Sequence, residues 1–303
     1  MALGGSTTEC LYLDQSETWT SLLQETLNGA TQNQSVWVGN AGMSGRTTRH
    51  HLMAFQYMPF GEFKIDAVIL LIGFNDFTQR LARGNQYDRN FLESSKAKKK
   101  LMTETFTGSN LRDPDEPFYK NIAIVQQFKK VRKLIRSEKI QDEAGMNYIA
   151  WRGYRRNAVE IIDELPLLSS ALAEYAKNIN DIINLAQMHS VRLIFMTQPT
   201  LWRANLDERL NALLWFGWLG EFHRNNGNAY YSATALQEGM HLYNETLLQV
   251  CKKRNMECLD LAPMLEKDTS VFYDDVHFNE NGAKKVAWIL SDFILRRTPF
   301  KGS

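Results

Sequence analysis

A chain of 303 residues with 44% hydrophobic content is long enough to bury a sizeable core. Its 35 Lys and Arg against 34 Asp and Glu leave a net charge of +1, so global charge gives no case for a nucleic-acid or anionic-membrane partner. Cys10, Cys251 and Cys258 are spread without metal-type spacing, so neither a disulfide framework nor a zinc site is expected, and the strongest apolar run, Ala67 to Phe74, is too short to span a bilayer.

The chain begins with a short apolar lead, Met1 to Leu3, that runs into Gly4-Gly5-Ser6-Thr7-Thr8. Glycines at the end of a strand let the backbone turn sharply, and such a turn can present Ser6 as a nucleophile, although the same residues also describe an ordinary loop. Only three residues stand where a first strand of about five is expected. The chain therefore reads as starting inside a longer sequence, which leaves a leader or anchor open. Ser16 to Leu27 has helical spacing, with Asn28-Gly29 as its stop. Ser35 to Gly39 reads as a short strand emptying into the small-residue turn Asn40-Ala41-Gly42-Met43-Ser44-Gly45, with a helix from about Thr48. Asp66 to Ile72 is an unbroken apolar run, as in a central parallel strand covered on both faces, and it ends in Gly73-Phe74-Asn75-Asp76. Three strand-to-turn junctions thus fall within the first 76 residues, and in a parallel sheet all three gather at the strands' carboxyl edge.

From 78 to 165 this rhythm breaks, and the segment reads as a mainly helical insertion. It carries the Lys96 to Lys100 run and a basic helix near 119–139, read as solvated faces because no nucleic-acid motif accompanies the lysines. A long helix is expected over Leu168 to His189, a fourth strand over Val191 to Met196, a helix over Gly239 to Arg254, a fifth strand over Glu257 to Leu261, and a last helix over Ala283 to Arg297. Between them, 200–240 is rich in aromatics, including Trp202, Trp215, Phe216, Trp218, Phe222, Tyr230 and Tyr231. It can form a lid or cap over an apolar or sugar ligand, but core packing is the favoured reading for most of these rings.

Of the six histidines, only His277 has an acid at close spacing inside a turn: Asp274-Asp275-Val276-His277. A carboxylate three residues ahead can hold the imidazole in one tautomer, leaving the other nitrogen free to take a serine's proton. A metal site built from Asp274, Asp275, His277 and Glu280 is the competing use of the turn, but the cluster is local and no second ligand group accompanies it.

Four blocks, Gly4-Gly5-Ser6-Thr7, Asn40 to Gly45, Gly73-Phe74-Asn75-Asp76 and Asp274 to His277, resemble in order and spacing the SGNH, or GDSL-type, hydrolases. The resemblance implies a three-layer α/β/α fold with a flavodoxin-like parallel sheet of about five strands in one domain over 1–303. It also implies Ser6 as nucleophile, His277 as general base and Asp274 as its orienting acid. An oxyanion hole would come from the Ser6 and Gly45 N–H groups and the Asn75 amide, with Gly42 as an alternative to Gly45. No metal or cofactor is required, and the expected partner is a small acyl ester or an O-acylated carbohydrate. An acyltransferase using the same triad, or a carbohydrate-binding module on a retired hydrolase fold, would share these motifs. The first block departs from the family pattern at Gly5, where an Asp usually precedes the nucleophile.

Overall fold

In the computed structural model, which describes residues 1–30, 35–107, 137–222 and 227–297, the unbroken apolar run becomes strand β3, Ala67–Leu71, buried along its whole length. On one side it pairs with β1 (Ala2–Gly4), which in turn pairs with β2 (Asn40–Gly42); on the other it pairs with β5 (Arg192–Met196), followed by β7 (Glu257–Leu259). All pairings are parallel, and the order β2-β1-β3-β5-β7 reverses direction between β1 and β3. In sheets of this class the ligand crevice lies at that reversal, beyond the carboxyl ends of the strands. Although β1 has three residues, each is buried and each is paired on both sides: Leu3 faces Ala41 of β2 and Leu70 of β3. A second sheet, β4 (Ile161–Ile162) with β6 (Tyr230–Tyr231), has no counterpart in the sequence expectations.

Helices cover both faces of the main sheet in three layers. Helix α2 (Trp19–Ala30) packs on the last helix, α11 (Glu280–Arg297). On the other face α3 (Thr48–Tyr57) packs on α8 (Ser169–Met188), and α8 on α10 (Ala233–Arg254). Helices α1 (Ser6–Glu9), α5 (Phe74–Arg83), α6 (Ser95–Thr107) and α7 (Ser137–Arg156) complete what the site needs. The Lys96 to Lys100 run lies on α6, whereas the expected basic helix near 119–139 falls largely outside the described residues.

Element boundaries depart from the sequence reading where side chains take over backbone groups. Residues 35–39 do not form the expected strand, because α2 satisfies their backbone. The Val36 N–H donates to Asn28 Oδ1 at 2.7 Å, the Asn28 amide returns a bond to the Val36 carbonyl, and the Val38 N–H donates to Gln24. Pairing therefore begins five residues later, at Asn40 in what read as a turn, and Asn28 sits inside the helix it was expected to stop. Helix α10 starts six residues before its expected position, since Ser232 caps it by accepting the Ala235 N–H. Gly239 lies within that helix, where the ring of Phe77 occupies the space a side chain would fill. The cysteine expectation is also corrected. Asn255, in the left-handed conformation, reverses the chain after α10 and brings Cys258 of β7 back to Cys251, to which a disulfide joins it with Cα atoms 6.3 Å apart. No helix among the described residues is long and apolar enough to cross a membrane.

Candidate active site

Ser6 opens α1 directly after β1. The chain passes from strand to helix through Gly5, and a Cβ on Gly5 would stand 2.3 Å from the Asn75 amide nitrogen. Glycine is thus what lets Asn75 approach the Ser6 backbone. Helix α1 is a single turn, closed by Cys10 in the left-handed region, whose N–H returns to the Ser6 carbonyl. The Ser6 N–H belongs to the first turn, whose donors have no partner within the helix.

From the opposite end of the chain, the turn 274–277 delivers His277. Asp274 is fully buried, and four N–H groups converge on its carboxylate. Val276 and His277 donate backbone N–H groups to Oδ1 at 2.9 and 2.8 Å, while His277 Nδ1 and Trp215 Nε1 reach Oδ2 at 2.7 and 2.9 Å. The backbone pair makes the aspartate cap its own turn, which explains why a spacing of three suffices. Since Nδ1 faces a carboxylate it carries the ring proton, and the remaining nitrogen, Nε2, lies 2.7 Å from Ser6 Oγ. Burial alone would raise the Asp274 pKa, but the adjacent His277 and the donated hydrogen bonds outweigh it and hold the group below the usual carboxylate range. An imidazole placed in this way can remove a hydroxyl proton and return it to a leaving group.

Asp275, the next residue, faces the other way and accepts from Trp202 Nε1 and from the backbone N–H groups of Trp215 and Phe216. Burial, and then the neighbouring Asp274, push it up to about 6. Its carboxylate is thus committed to the aromatic segment, and among the described residues no group of His, Cys, Asp and Glu is arranged to hold a metal ion.

The second half of the site comes from the ends of β2 and β3. Gly45 has φ +77°, a left-handed conformation that favours glycine, and its Cα faces open space. Gly42, the alternative donor, lies within β2, where a Cβ would stand 2.3 Å from the Glu9 nitrogen, so its smallness serves the packing of α1 on the sheet. The Gly45 turn is tethered from three sides. Glu9 accepts from the Ser44 N–H and hydroxyl, Gln79 donates to the Gly45 carbonyl, and Asn75 Nδ2 donates to the Arg46 carbonyl at 2.9 Å. Just beyond, Thr48 donates its N–H and hydroxyl to Asp76, which burial pushes up to about 7.

Ser6, Gly45, Asn75 and His277 all line one cavity of about 330 Å³. Most of the rest of its wall is aromatic: Tyr148 and Trp151 from α7, Trp215, Phe216, Trp218 and Phe222 from the segment before β6, and Tyr12 and Tyr273. Among the described residues no Asp, Glu, Lys or Arg lines it. The aromatic segment therefore divides, since Trp202, Tyr230 and Tyr231 are buried in the interior while the rings at 215–222 face the cavity. The remaining histidines lie elsewhere: His50 caps α3 by bonding Thr47, His51 is buried, His189 ends α8, His241 is exposed on α10, and His223 lies outside the described residues. The sequence reading missed the direct bond from Trp215 to Asp274 and the anchoring by Asp275, since residues some 59 positions apart in the chain carry no local signal of contact.

The model of the GDSL-like lipase/acylhydrolase family matches residues 2–285. The chain belongs to that family. Members hydrolyse ester bonds, and a serine triad with an oxyanion hole is typical of them. Among solved structures, the LAE5 α/β-hydrolase enzyme from the metagenome of Lake Arreo, Spain, is 13% identical, with 96% of this chain and 92% of that one covered and a TM-score of 0.50, and it shares the fold. An acetylxylan esterase from Geobacillus stearothermophilus is 15% identical, with 99% and 93% covered and a TM-score of 0.47. A lipolytic protein of the G-D-S-L family from Desulfitobacterium hafniense is 11% identical, with 96% and 97% covered and a TM-score of 0.47. No curated protein matches this GDSL-family chain.

Proposed function

We propose that this GDSL-family protein hydrolyses acyl esters through an acyl-enzyme on Ser6. The observation that carries the reading is the continuous chain Ser6 Oγ, His277 Nε2, His277 Nδ1, Asp274 Oδ2, with 2.7 Å at both links, opening on a cavity. Ser6 Oγ attacks the acyl carbon as His277 Nε2 takes its proton, and Asp274 stabilises the imidazolium. The carbonyl oxygen becomes an oxyanion and receives the N–H groups of Ser6 and Gly45 and the Asn75 amide, which turns from the Arg46 carbonyl. Collapse expels the alcohol with the proton from His277. Water, deprotonated by the same nitrogen, then attacks the acyl-enzyme, releases the carboxylic acid and restores Ser6.

The cavity's uncharged aromatic wall favours a neutral substrate, either an apolar acyl group or an O-acylated sugar ring stacked on indole. Hydrolysis of p-nitrophenyl acetate and butyrate by wild type, Ser6→Ala and His277→Ala tests the mechanism. Each substitution is expected to lower kcat by about 10⁴-fold to 10⁶-fold with an unchanged fold. An inert wild type, or full activity in Ser6→Ala, rejects it.

A further inference from the structure

The ring of Trp215 faces the substrate cavity while its N–H points away, to the acid behind the catalytic base. The indole is held there from below by two buried groups of opposite charge. Asp275 accepts the backbone N–H groups of Trp215 at 2.7 Å and Phe216 at 3.3 Å. Arg155, from α7, donates to the Phe216 carbonyl at 2.5 Å and to the Tyr231 carbonyl at 2.8 Å. Trp202 fills the remaining side of Asp275 with a 2.7 Å bond from its own indole. A tryptophan needed only as a wall would require neither an aimed N–H nor a pinned backbone. Here both serve to bring Nε1 within 2.9 Å of Asp274 Oδ2, the oxygen that also receives His277 Nδ1.

We propose that Trp215 is a positioning residue of the esterase reaction, acting through Asp274 on His277; this rests on the reading of Ser6, His277 and Asp274 as the triad. The indole N–H fixes the carboxylate in the plane that meets the imidazole and takes up part of its negative charge. Without that donor the charge on Oδ2 is met by the imidazole alone. The carboxylate then attracts the imidazolium more strongly, so the acid limb of kcat/KM moves to higher pH, and the less firmly held ring transfers the Ser6 proton more slowly. The other titratable or charged groups around the pair are Asp275, Tyr12, Tyr148 and Tyr273, with Arg152 on the Tyr273 carbonyl and Arg155 beneath Asp275. A substitution at 215 changes none of these side chains.

The test compares Trp215→Phe with Trp218→Phe, which removes an indole from the same wall, in the full chain with an ester substrate. Trp215→Phe is expected to lower kcat by roughly tenfold and to move the acid limb upward by about half a pH unit or more. Trp218→Phe is expected to alter KM and leave the limb in place. A Trp215→Phe limb that superimposes on wild type, with only KM changed, overturns the proposal. Should Trp215→Phe not fold, Ser6→Ala protein with ¹⁵N-labelled tryptophan reports the same contact. The Trp215 indole resonance is expected to titrate in step with His277, and a resonance that stays flat overturns the proposal without any change at 215. Full activity in Ser6→Ala overturns the triad and this proposal with it. A dead Ser6→Ala together with an unmoved limb in Trp215→Phe overturns this proposal alone.

Discussion

Asp274 and Asp76 each anchor one half of the site, and each receives N–H donors from the turn it holds, yet burial leaves them in opposite conditions. Asp274 meets a histidine that can become a cation and is held below its usual range, so it stays ionised. Asp76 meets the neutral Thr48 N–H and hydroxyl, and burial dominates, pushing it up to about 7. The difference teaches which half must keep a charge. In the proposed mechanism the base turn uses its carboxylate during the reaction, whereas the oxyanion turn uses one only to hold β2's exit against α5.

Removing the charge from the first half is expected to cost most. Asp274→Asn should lower kcat by about 10³-fold to 10⁴-fold at neutral pH, because an amide cannot fix the Nδ1–H tautomer. A loss of only a few-fold would mean that His277 is held by the backbone alone. The second half should respond less. Asn75→Ala should lower kcat by roughly 10²-fold to 10³-fold, the usual cost of one oxyanion donor. Gly5→Ala should reproduce part of that loss with little change in Tm, since the new Cβ would meet the tip of the Asn75 side chain. If Gly5→Ala lowers Tm and leaves kcat intact, the contact is one of packing.

The smallest effect on activity, a few-fold at most, is expected for Asp76→Asn, whose signature lies in stability. The folded state takes up a proton at about 7 where the unfolded chain does so near 3.8. Between those values the folded form binds more protons, so this group's contribution falls as pH rises, by up to about 1.4 kcal/mol per pH unit. Asp275, pushed up to about 6, adds a slope of the same sign below that pH, while Asp274 opposes it at lower pH. Denaturation midpoints measured across this range should flatten towards neutral pH in Asp76→Asn. An unchanged slope would show that Asp76 stays ionised.

Much of this geometry was legible in the sequence where one segment carries both an element and its purpose. The apolar run before Gly73 could only be a doubly covered strand, and the two ends of the Asp274–His277 turn cap each other locally. The reading failed where a side chain from elsewhere decides. Asn28 and Gln24 cancel a strand over 35–39, Ser232 starts α10 early, and Asn255 folds Cys258 back to Cys251. The aromatic segment is the clearest case. Composition marks it, but only the three-dimensional arrangement separates Trp202, which is buried on Asp275, from Trp215, which spans the cavity and the acid.

The hydrogen bond between Ser6 and His277 closes a loop of 271 residues. During synthesis Ser6, the proposed nucleophile, leaves the ribosome long before His277 exists, and β1 itself must wait for β3 before both its edges are paired. Esterase turnover would then be among the last properties the chain acquires. Recovery of activity during refolding would time the arrival of the final turn against the sheet, later than any signal from helix formation.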